Sequence, residues 1–168
     1  NVYHVPEQDV VDGNFPTVQS PNPEEPGALA MAVAVADKEG ADLVMATDPD
    51  ADRIGIAVRD NEGKMVLLNG NQTGSILTYY ILRRWSELGK LDGKQYIVKT
   101  IVTTELLRAI AEKFGVKVYN VLTGFKWIAD IVKKNEGETT FVCGGEESYG
   151  FNVGEFVRDK DAPISCAF

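Results

Sequence analysis

Asp48-Pro49-Asp50-Ala51-Asp52-Arg53 places three carboxylates at alternate positions and closes on a guanidinium. Like charges this close repel, so a loop that converges them needs a cation. A loop that leaves them apart is a solvated acidic turn, and the spacing alone leaves both readings open. Hard oxygen ligands select Mg²⁺, Ca²⁺ or Mn²⁺ over soft metals, and Mg²⁺ commonly completes its shell with a phosphate oxygen. Pro49 biases Asp48 towards an extended backbone and lowers the cost of ordering the loop. Arg53 can pair with a carboxylate or grip a phosphate through two N–H groups. A cation beside an arginine is what offsets the charge on a phosphoryl group in transfer.

Two other loops carry polar chemistry. Cys143-Gly144-Gly145-Glu146-Glu147-Ser148-Tyr149-Gly150 leaves a strand through glycines, which let the backbone approach a ligand closely. Glu146 accepts hydrogen bonds and Ser148 donates or accepts, as vicinal sugar hydroxyls require; a polar turn capped by a glutamate is the alternative. Thr123-Gly124-Phe125-Lys126 opens a helix, with Thr123 expected as its cap and free N–H groups facing an anion. Lys126 would contact phosphate or move a proton, or else be a surface lysine on a capped helix. Phe125 and Trp127 are expected in the core, and the mixed run Arg158-Asp159-Lys160-Asp161 reads as a solvated face. His4, the sole histidine, is placed on a separate N-terminal strand and given no role.

Two competing readings of the aspartate loop are testable in the sequence. An EF-hand beginning at Asp48 needs glycine where Arg53 stands and glutamate where Arg59 stands, and it fails. A phosphatase of the haloacid-dehalogenase type also opens with Asp-x-Asp after a strand. It expects a small Thr or Val where Asp52 stands, and no later paired-aspartate loop completes such a site.

The elements that must position these loops follow from periodicity. Prolines at 16, 21, 23 and 26 mark an irregular N-terminal stretch. Leu29, Val33 and Ala36 predict a helix from Gly27 to Glu39, stopped by Gly40. Ala41–Thr47, Ile54–Arg59 and Met65–Leu68 predict strands, with a hairpin turn at Asp60–Gly63 and the last as its return strand. A second unit begins near Asn69: a helix striped by Leu77, Ile81, Trp85 and Leu88, then strands at Tyr96–Val98, Val116–Leu122 and Thr139–Cys143. Helices at Thr104–Phe114 and Phe125–Lys134 alternate with them. Such alternation predicts α/β layering: two α/β/α units with mixed, largely parallel sheets, the first incomplete. In these sheets ligands bind beyond the carboxyl ends of strands, where all three polar loops fall.

Composition bounds the function. The 168 residues suit one ordinary domain or two small ones, with ordinary globular hydrophobic content. A net charge of −8 argues against nucleic acid, but a few local cations in a cleft still permit a phosphorylated small substrate. No run approaches the ~18 apolar residues of a membrane span. The two cysteines, Cys143 and Cys166, lack metal-ligand neighbours, which points to a reducing compartment. The start at Asn1 and the end at Phe168 are expected to be those of a piece of a longer protein.

Taken together, Thr47-Asp48-Pro49-Asp50-Ala51-Asp52-Arg53 resembles the metal-binding loop of the phosphoglucomutase/phosphomannomutase family, the α-D-phosphohexomutases. Gly145-Glu146-Glu147-Ser148-Tyr149-Gly150 resembles its sugar-recognition loop, in the form typical of phosphoglucomutase-like members. Asp12-Gly13-Asn14-Phe15-Pro16, Thr123–Lys126 and Arg158–Asp161 fall in the family order, so the resemblance spans essentially the whole chain. It implies residues 1–68 as the later part of the second of four domains, and 69–168 as the third. It implies Mg²⁺ on Asp48, Asp50 and Asp52, and catalytic roles for Arg53, near a phosphoserine, and Lys126. It places Thr123, Gly124, Glu146, Ser148 and Lys160 at the substrate. The implied activity interconverts hexose 1-phosphate and hexose 6-phosphate, of glucose or mannose, through a bisphosphorylated sugar. The catalytic serine and the phosphate-gripping loop would belong to the missing first and fourth domains, so the chain alone is expected to be inactive. Members whose sugar loop ends in Gly-His place a histidine near substrate; Tyr149-Gly150 stands here instead. A cytoplasmic location is expected. The alternatives kept are the phosphatase and a non-catalytic metal or sugar-phosphate module. The whole reading is lost if Asp50 and Glu146 stand on opposite outer surfaces, unable to line a common cavity even with the neighbouring domains restored.

Overall fold

The computed structural model describes residues 1–168. Residues 1–25 are irregular apart from a 3₁₀ turn at Pro6–Gln8, so His4 lies on no strand; its imidazole approaches the Asp9 carboxylate on the surface. Helix α1 (Pro26–Glu39) starts on a proline, whose missing N–H costs nothing there. It ends at Gly40, whose φ of 67° suits glycine. Three strands follow: β1 (Leu43–Thr47), β2 (Ile54–Arg59) and β3 (Met65–Leu68). The small-residue face of α1 lets Leu29 and Ala36 pack closely on Val44, Ala57 and Met65.

All pairings in this first sheet, ordered β1-β2-β3, are antiparallel, unlike the second. A parallel neighbour needs a crossover of about a dozen residues or more, and neither connection, 48–53 or 60–64, can supply one. Arg59 fastens the unit. Its guanidinium donates to the carbonyls of Ala36, Ala41 and Gly63 and pairs with Asp37, bringing positive charge to the negative end of α1.

Helix α2 (Gly70–Glu87) opens the second unit. Asn69 and Gln72 form a reciprocal capping box at its start, each side chain bonded to the other's backbone N–H at 2.9 Å. Of the predicted stripe, Leu77 and Ile81 are core, Trp85 borders it, and Leu88 is an exposed cap residue; Leu82 takes its place inside. The chain continues as β4 (Gln95–Thr100), α3 (Leu106–Lys113), β5 (Lys117–Val121), α4 (Phe125–Lys134), β6 (Thr140–Gly145), β7 (Phe151–Val153) and α5 (Ala162–Ala167). Sheet order is β5-β4-β6-β7, with β4 parallel to β5 and β6, and β7 antiparallel to β6.

Alternation along β4 divides the core. Ile97 faces α2 and α3 with Leu77, Ile81 and Leu107, while Tyr96 and Val98 face α4 with Phe125, Ile128 and Phe141. β7 and α5 were not expected from periodicity. β7 has three residues, and α5 takes its N-cap from Asp161, whose carboxylate accepts from the Ile164 N–H at 2.9 Å. α5 packs against β7 and also touches β1 and β2, so it spans the two units. No helix is long and apolar enough to cross a membrane.

Candidate functional site

The aspartate loop leaves β1 and folds around its own first carboxylate. Oδ1 of Asp48 accepts from the backbone N–H of Asp52 and of Arg53, both at 3.0 Å, and Oδ2 accepts from Nε of Arg53 at 2.6 Å. Ala51 takes a left-handed φ of 55° to complete the turn. Burial acts to raise the Asp48 carboxyl, but the backbone N–H and guanidinium of Arg53 outweigh it and hold the group below its ordinary value. Arg53 is raised in turn, since Asp48 outweighs its partial burial. One carboxylate oxygen each from Asp48, Asp50 and Asp52 lies within 4.8 Å of the others. Asp48 is buried, Asp50 exposed and Asp52 half-buried, an all-oxygen donor set that fits a hard divalent ion.

The sugar-type loop docks directly onto this one. Arg53 and Gly150 form an isolated antiparallel bridge, and the Ile54 N–H donates to the Tyr149 carbonyl at 3.1 Å. Tyr149 holds a left-handed φ of 70° to present that carbonyl. On the other side, the Ala162 N–H donates to the Ala51 carbonyl at 3.0 Å. Both strained residues thus offer their carbonyls to the junction between the loops.

Lys160 crosses this junction. Its Nζ pairs with Asp52 Oδ2 at 2.9 Å and sits 4.9 Å from the Phe125 ring centroid. Its stem lies where a side chain on residue 150 would be: a Cβ on Gly150 would come within 2.4 Å of Lys160 Cδ. Burial acts to lower the Lys160 ammonium, but Asp52 and Asp159 outweigh it and raise it. The expected solvated charge run is therefore only partly a solvated face: Arg158 pairs with Glu136 on the surface, while Lys160 turns inward to Asp52.

Asp52, Arg53, Glu146, Ser148, Gly150 and Lys160 line one cleft of ≈ 210 Å³. Asp52 belongs both to this cleft and to the aspartate cluster, and so links Glu146 to the aspartates, while Asp50 itself does not line the cleft. Glu146 Oε1 also accepts from the Gly124 N–H at 3.0 Å, tying the third loop in. A larger cavity of ≈ 670 Å³ lies between the N-terminal loop and Thr47–Pro49. It holds Glu7, Asp9, Asp12 and Asp48 but neither Arg53 nor Lys160, both of which line the smaller cleft.

The third loop departs from expectation. Gly124, not Thr123, is the N-cap of α4, with a φ of 115° that favours glycine. That conformation aims its N–H at Glu146, and Thr123 makes no capping bond. Lys126 is exposed and lies 5.2 Å from the Trp127 ring, outside the residues lining the cleft. Phe125 is core as expected, but Trp127 is 39% exposed because it turns outward to carry that lysine.

Sequence reasoning missed the layer beneath the cleft. Glu147 Oε2 accepts from the hydroxyls of Thr100 and Thr103, each at 3.1 Å. Lys99, fully buried, donates to the carbonyls of Thr100 and Thr103 and pairs with Glu105 at 2.8 Å. A lysine ending the apolar run Tyr96-Ile97-Val98 was the available signal, because a buried ammonium must find partners.

The family model described as phosphoglucomutase/phosphomannomutase, alpha/beta/alpha domain II matches residues 1–63, and that of domain III matches 69–168. The chain belongs to the phosphoglucomutase/phosphomannomutase family. It is 44% identical over 151 residues to the phosphoglucomutase of Staphylococcus aureus strain N315, covering 90% of this chain and 27% of that protein. The chain thus spans about a quarter of the length of the curated relatives it matches. Its fold is shared with a phosphoglucomutase/phosphomannomutase family protein from Burkholderia thailandensis, with TM-score 0.70 and 21% identity, over 94% of this chain and 31% of that one. An N-acetylphosphoglucosamine mutase from Aspergillus fumigatus, solved with GlcNAc-6P and magnesium, matches at TM-score 0.50 and 18% identity, over 64% and 21% of the two chains. The phosphatase reading gains no support.

Proposed function

We propose that this chain is the metal- and sugar-binding part of a phosphohexomutase, which interconverts hexose 1-phosphate and hexose 6-phosphate of glucose or mannose. Residues 1–68 form the later part of its second domain and 69–168 its third. The phosphoserine and a further phosphate grip come from the first and fourth domains. The observation that carries the reading is the cleft joining Asp52, Arg53, Glu146, Ser148 and Lys160 across two units. A carbohydrate needs acceptors and donors, a phosphate needs cations, and this cleft offers both within ≈ 210 Å³.

Mg²⁺ on Asp48, Asp50 and Asp52 would offset negative charge on the transferring phosphoryl group. The GlcNAc-6P and magnesium bound by the Aspergillus mutase support both the ion and the substrate class. Arg53 stays oriented through Asp48 and turns its remaining N–H groups to phosphate. Lys160 exchanges its Asp52 partner for a substrate phosphate. Glu146 and Ser148 bond sugar hydroxyls that exist in either orientation of a bisphosphorylated hexose, as a reversing substrate demands. Thr123 and Gly124 flank Glu146 at the start of α4, and Lys126, which does not line the cleft in this chain, would contact a phosphate or move a proton once substrate and the other domains are in place. Without the phosphoserine the chain only binds.

The test replaces the matching segment of Staphylococcus aureus phosphoglucomutase with this chain and measures conversion of glucose 1-phosphate to glucose 6-phosphate. Turnover is expected in the chimera and absent in the isolated chain, and Arg53→Met in the chimera lowers it by about 10²-fold or more. A folded chimera without turnover, together with an isolated chain that binds no glucose 6-phosphate, overturns the reading. Turnover by the isolated chain overturns the assignment of the nucleophile to another domain.

A further inference from the structure

We propose that Glu147 is a positioning residue of the hexose phosphate site: its carboxylate, held by Thr100 and Thr103, sets where Glu146 and Ser148 stand. The inference rests on the reading of the cleft as a hexose phosphate site. Glu146 and Ser148 both line the cleft, and Glu147, between them, does not. The chain turns at Glu147 and Ser148, closed by the Glu146 N–H donating to the Gly150 carbonyl at 2.9 Å, and this turn sends the Glu147 side chain the other way, into the second unit. There Oε2 accepts from both threonine hydroxyls at 3.1 Å, and those hydroxyls lie 2.7 Å apart.

The anchor itself is rigid. Thr100 and Thr103 are buried, and their carbonyls are held from below by the fully buried Lys99 at 3.0 and 2.8 Å. The Thr104 N–H donates to Asn71 Oδ1 at 2.9 Å, which ties the same turn to the first turn of α2. The Glu147 backbone is pressed on that first turn too: a Cβ on Gly70 would lie 1.9 Å from the Glu147 carbonyl oxygen. The loop is therefore pinned at its middle residue by side chain and backbone together. Glycines at 144, 145 and 150 supply no side chain of their own to hold it. A half-buried carboxylate that accepts from these hydroxyls is a directional restraint, whereas an apolar residue there would leave one hydroxyl without an acceptor, since the other can donate across the 2.7 Å between them. Small displacements of binding groups carry large penalties, so a loosened Glu147 acts on its neighbours.

The test uses the 168-residue chain with glucose 6-phosphate as probe, read by calorimetry, and amide hydrogen exchange in the free chain at Glu146, whose N–H donates to the Gly150 carbonyl at 2.9 Å and closes the loop. Glu147→Ala is expected to weaken binding about tenfold and to speed Glu146 exchange by at least as much. Glu147→Gln keeps an oxygen acceptor at the same reach and restores both to within about threefold. The double variant Thr100→Val with Thr103→Val reproduces Glu147→Ala. Leu82→Ala, in the core of α2, lowers the melting temperature and leaves binding and Glu146 exchange within about twofold, which separates positioning from general stability. Native binding and native exchange in Glu147→Ala overturn the proposal, and so does equal weakening by Leu82→Ala. A wild-type chain that fails to bind glucose 6-phosphate overturns the reading of the cleft. The exchange arm needs no ligand and still decides whether Glu147 holds the loop.

Discussion

The Asp48 carboxylate receives two backbone N–H groups and a guanidinium, so its buried charge is satisfied within the loop. Sequence spacing made the three aspartates look equivalent, but burial separates them: Asp48 builds the loop, Asp50 reaches solvent, and Asp52 faces Lys160. Lys160 shows the limit of reading charge runs. Its neighbours mark a surface, and its own direction depends on a glycine ten residues earlier that leaves room for its stem. The cysteines are also separated by burial. The Cys143 thiol is pushed up to about 12 by burial, and burial raises the half-buried Cys166 as well. At pH 8 the thiolate fraction of Cys143 is then about 10⁻⁴. An aromatic disulfide reagent is expected to titrate at most Cys166 in the native chain and both cysteines in denaturant. Prompt release from both in the native state would show that β6 opens.

At the scale of elements, helix α2 carries two glycines with opposite prospects. Gly70 begins the helix against the Glu147 carbonyl, where a Cβ would stand at 1.9 Å from backbone oxygen. Gly74 lies one turn on, with its nearest neighbour 4.0 Å from a Cβ. Gly74→Ala is expected to stabilise by up to about 1 kcal/mol, because alanine is the better helix former. Gly70→Ala is expected to destabilise by about 1–3 kcal/mol and to displace the Glu146–Gly150 loop. Urea unfolding of the two variants checks both signs, and equal effects would refute the close approach. The helices and the longer strands were legible because apolar periodicity over ten residues or so is a strong signal. β7 and α5 were not, since three and six residues carry too little period to read. The Thr123 cap failed for a different reason. Threonine is the better capping residue by type, but the backbone turn selects glycine, and the N–H so exposed is claimed by Glu146 from another strand.

Across the whole molecule, the two sheets meet at the Arg53–Gly150 bridge, the Ile54–Tyr149 and Ala162–Ala51 hydrogen bonds, and the Asp52–Lys160 ion pair. α5 adds contacts to both units. Such a junction couples the units' stability, so the chain is expected to unfold in a single transition. Leu29→Ala in the first core and Leu82→Ala in the second each remove a fully buried side chain, worth about 2–5 kcal/mol. Both are expected to lower the same melting temperature, followed by calorimetry and by tryptophan fluorescence, which reports the second unit. Two resolved transitions, each moved by one variant alone, would show the units to be independent.

Residue types and their order along the chain sufficed for the family, the α/β layering and the aspartate and glutamate–serine loops, because hydrophobic period and ligand chemistry are local properties. The hairpin turn at Asp60–Gly63 already made β2 and β3 antiparallel. Tertiary structure alone decided that β1 pairs antiparallel with β2, that Lys160 faces inward while Lys126 rides on Trp127, and that Glu147 turns to Thr100 and Thr103. Each of those depends on what lies opposite in space, through burial, excluded volume at a glycine or a partner tens of residues away.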